Sequence, residues 1–255
     1  MKGRGKRTQI PPPLPRFRVV PTSPIKGDEY SIKGNIMTSF TIDGQEIAAG
    51  PGEKILWAAL RSGIYIPHLC ATEGAELPFG GCRLCLVEVE VRGRREMVTA
   101  CTEPIRENMK VYTHTEKVER MRRMAFELIM SDHHIDCKNC AKRKTCHLIK
   151  LASSLKMTLQ PKTLRSLARD LPVDDSHPLF THDPRKCMKC GKCVIKCQGL
   201  GKSFLDFAHR GFEMVVTTFD HLPHAAIGCE SCLECVKVCP TGALYLKETG
   251  GKADG

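Results

Sequence analysis

The sequence predicts an α+β chain assembled from several small units, each tied together by metal ligation rather than by one large apolar core. Three observations lead there. Apolar residues alternate at period two around 40–42 and 86–91, yet recur at helical spacing over 55–60 and 118–129. Aromatic residues make up 5% of the 255 positions, too few for an extensive aromatic interior. The same chain carries 15 cysteines, grouped at short and regular spacings.

The elements follow in order. Lys2, Arg4, Lys6 and Arg7, then Pro11, Pro12, Pro13 and Pro15, make residues 1–36 a basic, proline-broken extension that cannot build a packed unit. Met37 is an alternative start of translation, because the codons for Lys33-Gly34 resemble a bacterial ribosome-binding site just upstream. Folded sequence begins near Met37, where Phe40 and Ile42 alternate ahead of an Asp43-Gly44 hairpin signal. Ile55, Leu56, Ala58, Ala59 and Leu60 share one helical face, which Gly63 ends. Residues 86–91 alternate as a half-buried strand, Gly93 turns the chain, and 97–100 returns as a second strand. Val118, Met121, Ala125, Leu128 and Ile129 place a helix over 116–131, a second helix is expected over 143–156, and a polar connector follows to 180. Arg120, Arg122 and Arg123 on the first of these helices read as a solvated face or a partner contact.

Beyond 180 the chain repeats itself. Cys187, Cys190, Cys193 and Cys197 have the spacing C-x2-C-x2-C-x3-C, and Cys229, Cys232, Cys235 and Cys239 repeat it, followed by Pro240. Three cysteines at this spacing wrap a tight loop round one face of a cubane, and the fourth, beginning a helix, points to the neighbouring one. Cys187, Cys190, Cys193 and Cys239 are therefore expected to hold one [4Fe–4S] cluster, and Cys197, Cys229, Cys232 and Cys235 a second. Zinc prefers separated C-x2-C knuckles, so a pair of zinc sites fits the doubled pattern poorly. Cys70, Cys82, Cys85 and Cys101 form C-x11-C-x2-C-x15-C, a spacing that suits either zinc or [2Fe–2S]. Cys137, Cys140 and Cys146 supply only three thiolates, and Asp132-His133-His134-Ile135-Asp136-Cys137 offers two imidazoles as a fourth ligand. These groups use every cysteine, leaving none for a disulfide or a catalytic nucleophile.

Two stretches carry a family resemblance: GEKILWAALRSGIYIPHLC, ending at Cys70, and GGCRLCLVEV around Cys82 and Cys85. With them the chain resembles the N-terminal iron–sulfur region of the complex I large iron–sulfur subunit and of iron-only hydrogenases. In size it is most similar to the small diaphorase-type subunit of NAD-reducing hydrogenases. The resemblance implies a ferredoxin-like β-grasp domain over 37–114 with Cys70, Cys82, Cys85 and Cys101 on a [2Fe–2S] cluster. It implies a small helical domain over 115–156 whose [4Fe–4S] cluster is held by His133, Cys137, Cys140 and Cys146. His134 departs from the family's usual proline and keeps a choice of imidazole open. After the connector 157–180, residues 181–255 form a two-[4Fe–4S] ferredoxin-like domain, and Phe207, His209, Arg210 and Gly211 also look like this family. One [2Fe–2S] and three [4Fe–4S] clusters are thus expected.

Charge and absence narrow the function. The formal charge of +11 counts every Cys as neutral, but thiolate ligands and four oxidised cores bring the loaded total to about +4 or, with one imidazole ligand, about one unit more. Residues 1–36 hold 8 Lys and Arg against 2 Asp and Glu, so the remaining body is near neutral and a nucleic-acid-binding protein is not expected. No apolar stretch resembles a signal peptide or a membrane span, which points to the cytoplasm, with attachment to the inner membrane face only through partners. No G-x-G-x-x-G follows a strand, and no residue is placed to make or break a substrate bond. The expected role is an electron-transfer subunit between a flavin-containing NAD(P)H subunit and a catalytic subunit, whether hydrogenase, formate dehydrogenase or reductase. The alternative is a free-standing multi-cluster ferredoxin, although a diffusing carrier gains nothing from four centres in series.

Overall fold

A computed structural model of the chain describes residues 37–75, 78–229 and 232–247. The basic extension 1–36, and with it the choice between Met1 and Met37 as the start, lies outside the described residues. So does the end of the last expected domain, 248–255.

Strands β1 (Thr38–Ile42) and β2 (Gln45–Ala49) pair antiparallel. They turn through Asp43 and Gly44, whose φ angles of 51° and 86° suit the twist of a two-residue hairpin. Strands β3 (Leu86–Val91) and β4 (Arg94–Thr99) repeat the device through Arg92 and Gly93. Strand β5 (Lys110–Tyr112) inserts between the hairpins, parallel to β1 and antiparallel to β3, giving the order β2-β1-β5-β3-β4. Helix α1 (Ile55–Arg61) buries Ile55, Leu56, Ala58 and Ala59 in one apolar core with Phe40, Ile42, Val87, Val89 and Val111.

Helix α2 (Glu116–Ser131) starts at Thr115, whose hydroxyl accepts from the Val118 N–H at 3.2 Å, and Glu116 and Glu119 complement the positive end of its dipole. Its inner face is Val118, Arg122, Phe126 and Met130, at four-residue spacing. Arg122 corrects an expectation: it is 2% exposed and belongs to the interior, not to a solvated basic face. Helix α3 (His147–Ser154) is shorter than the periodicity predicts and begins only at its cap, Cys146. Residues 141–145 form turns instead, because the chain must fold back between Cys140 and Cys146. Leu69 and Leu84 from the first unit meet Phe126, Met130, Leu148 and Leu151 in a second core, which welds sheet and helices together.

Residues 157–179 contain neither helix nor strand; Arg169 ties this connector down by donating to the carbonyls of Glu213 and Met214. Strand β6 (Phe180–His182) then pairs with the distant β9 (Leu244–Leu246), enclosing α4 (Lys192–Gly199), the hairpin β7 (Asp206–Ala208) and β8 (Val215–Thr217), and α5 (Glu234–Val238). The repeat is visible in the backbone: the cap of each helix, Gly191 and Leu233, is left-handed at φ 75° and 57°. A second correction concerns the fourth cysteines. Cys197 lies in the last turns of α4 and Cys239 directly after α5, so each ends a helix instead of beginning one. Among the described residues no helix is long and apolar enough to cross a membrane.

Candidate metal centres

The first group sits where the β3–β4 hairpin meets two loops. Cys85 precedes β3 and Cys101 follows β4, joined through the Ala100 N–H donating to the Cys85 carbonyl at 2.9 Å. The loop cysteines Cys70 and Cys82 bring their sulfurs to 3.4 Å, and the Cys82 N–H points at the Cys70 sulfur. Hydrogen bonding to Cys82, then burial, holds the Cys70 thiol protonated far above the ordinary range, while the same bond lowers Cys82 to about 6. Cys85 is raised and Cys101 lowered in the same way by each other. Four sulfurs so crowded and buried can all ionise only against a cationic core.

The second group closes around one cavity at the end of α2, lined by His133, His134, Cys137, Cys140, Cys146, Lys186 and Gly242, among others. Burial, followed by the nearby Lys186, pushes the His133 imidazole down to about 4, so it is neutral. Its Nδ1 is buried with no hydrogen-bond partner among the described residues. His134 is exposed, and its backbone N–H donates to the Arg185 carbonyl at 3.0 Å. Burial raises the Cys146 thiol. A methyl group on Gly242 would lie 2.6 Å from the Cys140 sulfur, so the backbone approaches that thiol as closely as it can.

The third and fourth groups divide the eight C-terminal cysteines between two cavities. Cys187, Cys190, Cys193 and Cys239 line one with Gly191 and Thr241; Cys197, Cys229, Cys232 and Cys235 line the other with Leu205 and His224. Burial pushes Cys187 up to about 12, Cys190 to about 11, and Cys193 well above its usual value. Cys235 rises to about 12 for the same reason. Backbone N–H groups turn toward the sulfurs: Lys189 toward Cys187 at 3.4 Å, Phe204 toward Cys197 at 3.3 Å. Such donors stabilise thiolate charge.

All sixteen side chains expected from the sequence thus fall into four separate gatherings. Among the described residues no three His, Cys, Asp or Glu side chains converge on a point as a single ion requires. Sequence reasoning missed two connecting features. Phe79 and Phe207 stack at 5.5 Å with planes 8° apart, bridging the loop before Cys82 to the C-terminal unit beside Gly191. Lys186, 8% exposed and 3.5 Å from Asp183, lies between the second and third groups. Neither has a local signal, since both depend on chain segments far apart.

Thiols gathered on a mixed helix–strand scaffold define the class of iron–sulfur proteins. The model of the 2Fe-2S iron-sulfur cluster binding domain matches residues 36–116, and that of the NADH-ubiquinone oxidoreductase-G iron-sulfur binding region matches 122–161. The NADPH-Fe(3+) oxidoreductase subunit alpha of Geobacter sulfurreducens is 35% identical over 212 residues, covering 83% of this chain and 24% of that protein. The NADP-reducing hydrogenase subunit HndD of Solidesulfovibrio fructosivorans is 35% identical over 217 residues, 83% of this chain and 36% of its own length. A chain in the crystal structure of an NAD+-reducing [NiFe]-hydrogenase in the H2-reduced state is 31% identical with a TM-score of 0.74, covering 84% of this chain and 89% of that one. The present chain belongs to this family of iron–sulfur subunits, shared by NADH-quinone oxidoreductases and NAD(P)-reducing hydrogenases. It spans about a quarter to a third of the length of the curated relatives it matches.

Proposed function

We propose that the chain is an electron-relay subunit that passes single electrons between a flavin-containing NAD(P)H subunit and a catalytic subunit of a larger oxidoreductase. The observation that carries this is the separation of its thiols into four groups on one scaffold. Cys70, Cys82, Cys85 and Cys101 are assigned to a [2Fe–2S] cluster. Three [4Fe–4S] clusters are assigned to His133 with Cys137, Cys140 and Cys146; to Cys187, Cys190, Cys193 and Cys239; and to Cys197, Cys229, Cys232 and Cys235. The neutral ring of His133, with its buried Nδ1 free of a hydrogen-bond partner among the described residues, and the exposure of His134 favour His133 as the imidazole ligand. When bound, such clusters supply one-electron transfer.

The protein's own residues hold the centres, keep water from them and set their surroundings. Sheet order β2-β1-β5-β3-β4 with α1 across one face supports a β-grasp unit over 37–114. Helices α2 and α3 carry the site of one histidine and three cysteines over 115–156, and the repeat beyond the connector supports a two-cluster unit over 181–255. The cytoplasm is the location that suits thiols given over to metal ligation.

Anaerobic purification of the native protein tests the proposal. About fourteen irons per chain, a [2Fe–2S] signal beside [4Fe–4S] signals, and a co-purifying flavoprotein are expected. Zinc in place of iron would overturn the ligand assignment, and a monomer with full iron but no flavoprotein would favour a free ferredoxin.

A further inference from the structure

The guanidinium of Arg122 on α2 is buried in the junction between helix and sheet. Arg122 is 2% exposed, and no Asp or Glu lies within ion-pairing distance of it among the described residues. Its fork spans the junction between helix and sheet: one Nη donates to the Thr113 carbonyl at 2.9 Å, the other to the Leu86 carbonyl at 2.6 Å. Its Nε has no partner among the described residues. Leu86 is the residue after Cys85, so the guanidinium is bonded to the backbone next to one ligand of the first group. Desolvation lowers its pKa to about 10, which leaves it charged at neutral pH. Carbonyl dipoles alone compensate a buried cation poorly.

We infer that Arg122 is a positioning residue for the first centre: acting through Cys85, its fixed charge raises the reduction potential of the [2Fe–2S] cluster. The inference rests on the assignment of Cys70, Cys82, Cys85 and Cys101 to that cluster. Four thiolates around a core of about +2 leave the oxidised site with a net charge of about −2, and reduction by one electron deepens it. A cation held in a low-dielectric interior stabilises the more negative state more strongly. Arg122 also stitches α2 to β3, so a test must separate charge from stitching.

The measurement is an EPR-monitored redox titration of the whole, anaerobically purified protein. Arg122→Gln keeps an amide donor but removes the charge. It is expected to lower the [2Fe–2S] midpoint by about a tenfold change in the reduction equilibrium, about 59 mV for one electron. Arg122→Lys keeps the charge but loses the fork, and its shift is expected to be less than half as large. An unmoved midpoint in Arg122→Gln with full signal intensity, or equal shifts in both variants, overturns the inference in favour of a purely structural role. If Arg122→Gln does not fold, Asp43→Asn gives the opposite sign. Its carboxylate accepts from the Thr113 N–H at 2.7 Å and partly offsets the guanidinium, so its removal is expected to raise the midpoint. A shift downward, or none, counts against the inference. A wild-type protein with no [2Fe–2S] signal would instead overturn the cluster assignment.

Discussion

At Gly242 a single methyl group decides whether a site can form. A Cβ there would stand 2.6 Å from the Cys140 sulfur and 3.3 Å from the Lys186 side chain. A lysine chain can move aside, but a sulfur bonded to iron cannot. Gly242→Ala is expected to lose about four irons per chain while the [2Fe–2S] signal persists, as iron analysis with EPR would show. His182 makes a different point. It is 6% exposed, its Nδ1 lies 3.3 Å from Nε2 of His224, and burial, then His224, depresses its pKa to about 4. A histidine kept neutral in the fold but free to charge when unfolded stabilises the protein fully above its ordinary pKa. That contribution is lost as pH falls from about 6.5 towards 4, and it is on the order of 3 kcal/mol. His182→Phe should flatten the loss of stability between pH 7 and pH 5 in denaturant titrations. If wild type and variant lose stability in parallel, the pKa of His182 is not depressed.

Among the elements, the hairpins and helices were legible because their signals are local. Asp43-Gly44 and Gly93 mark turns that need positive φ, and Val118, Met121, Ala125, Leu128 and Ile129 marked the helix, although Met121 and Leu128 are exposed and the buried stripe runs through Val118, Phe126 and Met130. The same stripe contains Arg122, and its position between Val118 and Phe126 was the available clue that it points inward. Its charge argued the other way, and only the two carbonyls it meets, from residues 86 and 113, resolve the conflict. Helix α3 began late because a metal-site loop, not apolar periodicity, sets where it can start. The Phe79–Phe207 stack belongs to this scale too, since it clamps a loop of the first unit onto β7. Phe79→Ala is expected to weaken that contact by about 1 kcal/mol beyond the lost area. Faster amide exchange over residues 78–84 would register it, and unchanged exchange would show that the stack is incidental.

For the whole molecule, the candidate sites were more legible than the architecture. Cysteine spacing is a direct imprint of coordination geometry, so four groups could be drawn before any coordinates. Which loops lie between the groups, and how β6 comes to pair with β9 across more than sixty residues, depends on long-range packing that no short window records. The partitioning of the last eight cysteines has a further consequence. Cys197 shares a cavity with Cys229, Cys232 and Cys235, and Cys239 shares one with Cys187, Cys190 and Cys193. Neither half of the repeat can then be a self-sufficient module. With iron in both cavities, a chain cut in the exposed loop after β8 would still behave as one body, its two pieces laced together by inorganic bonds.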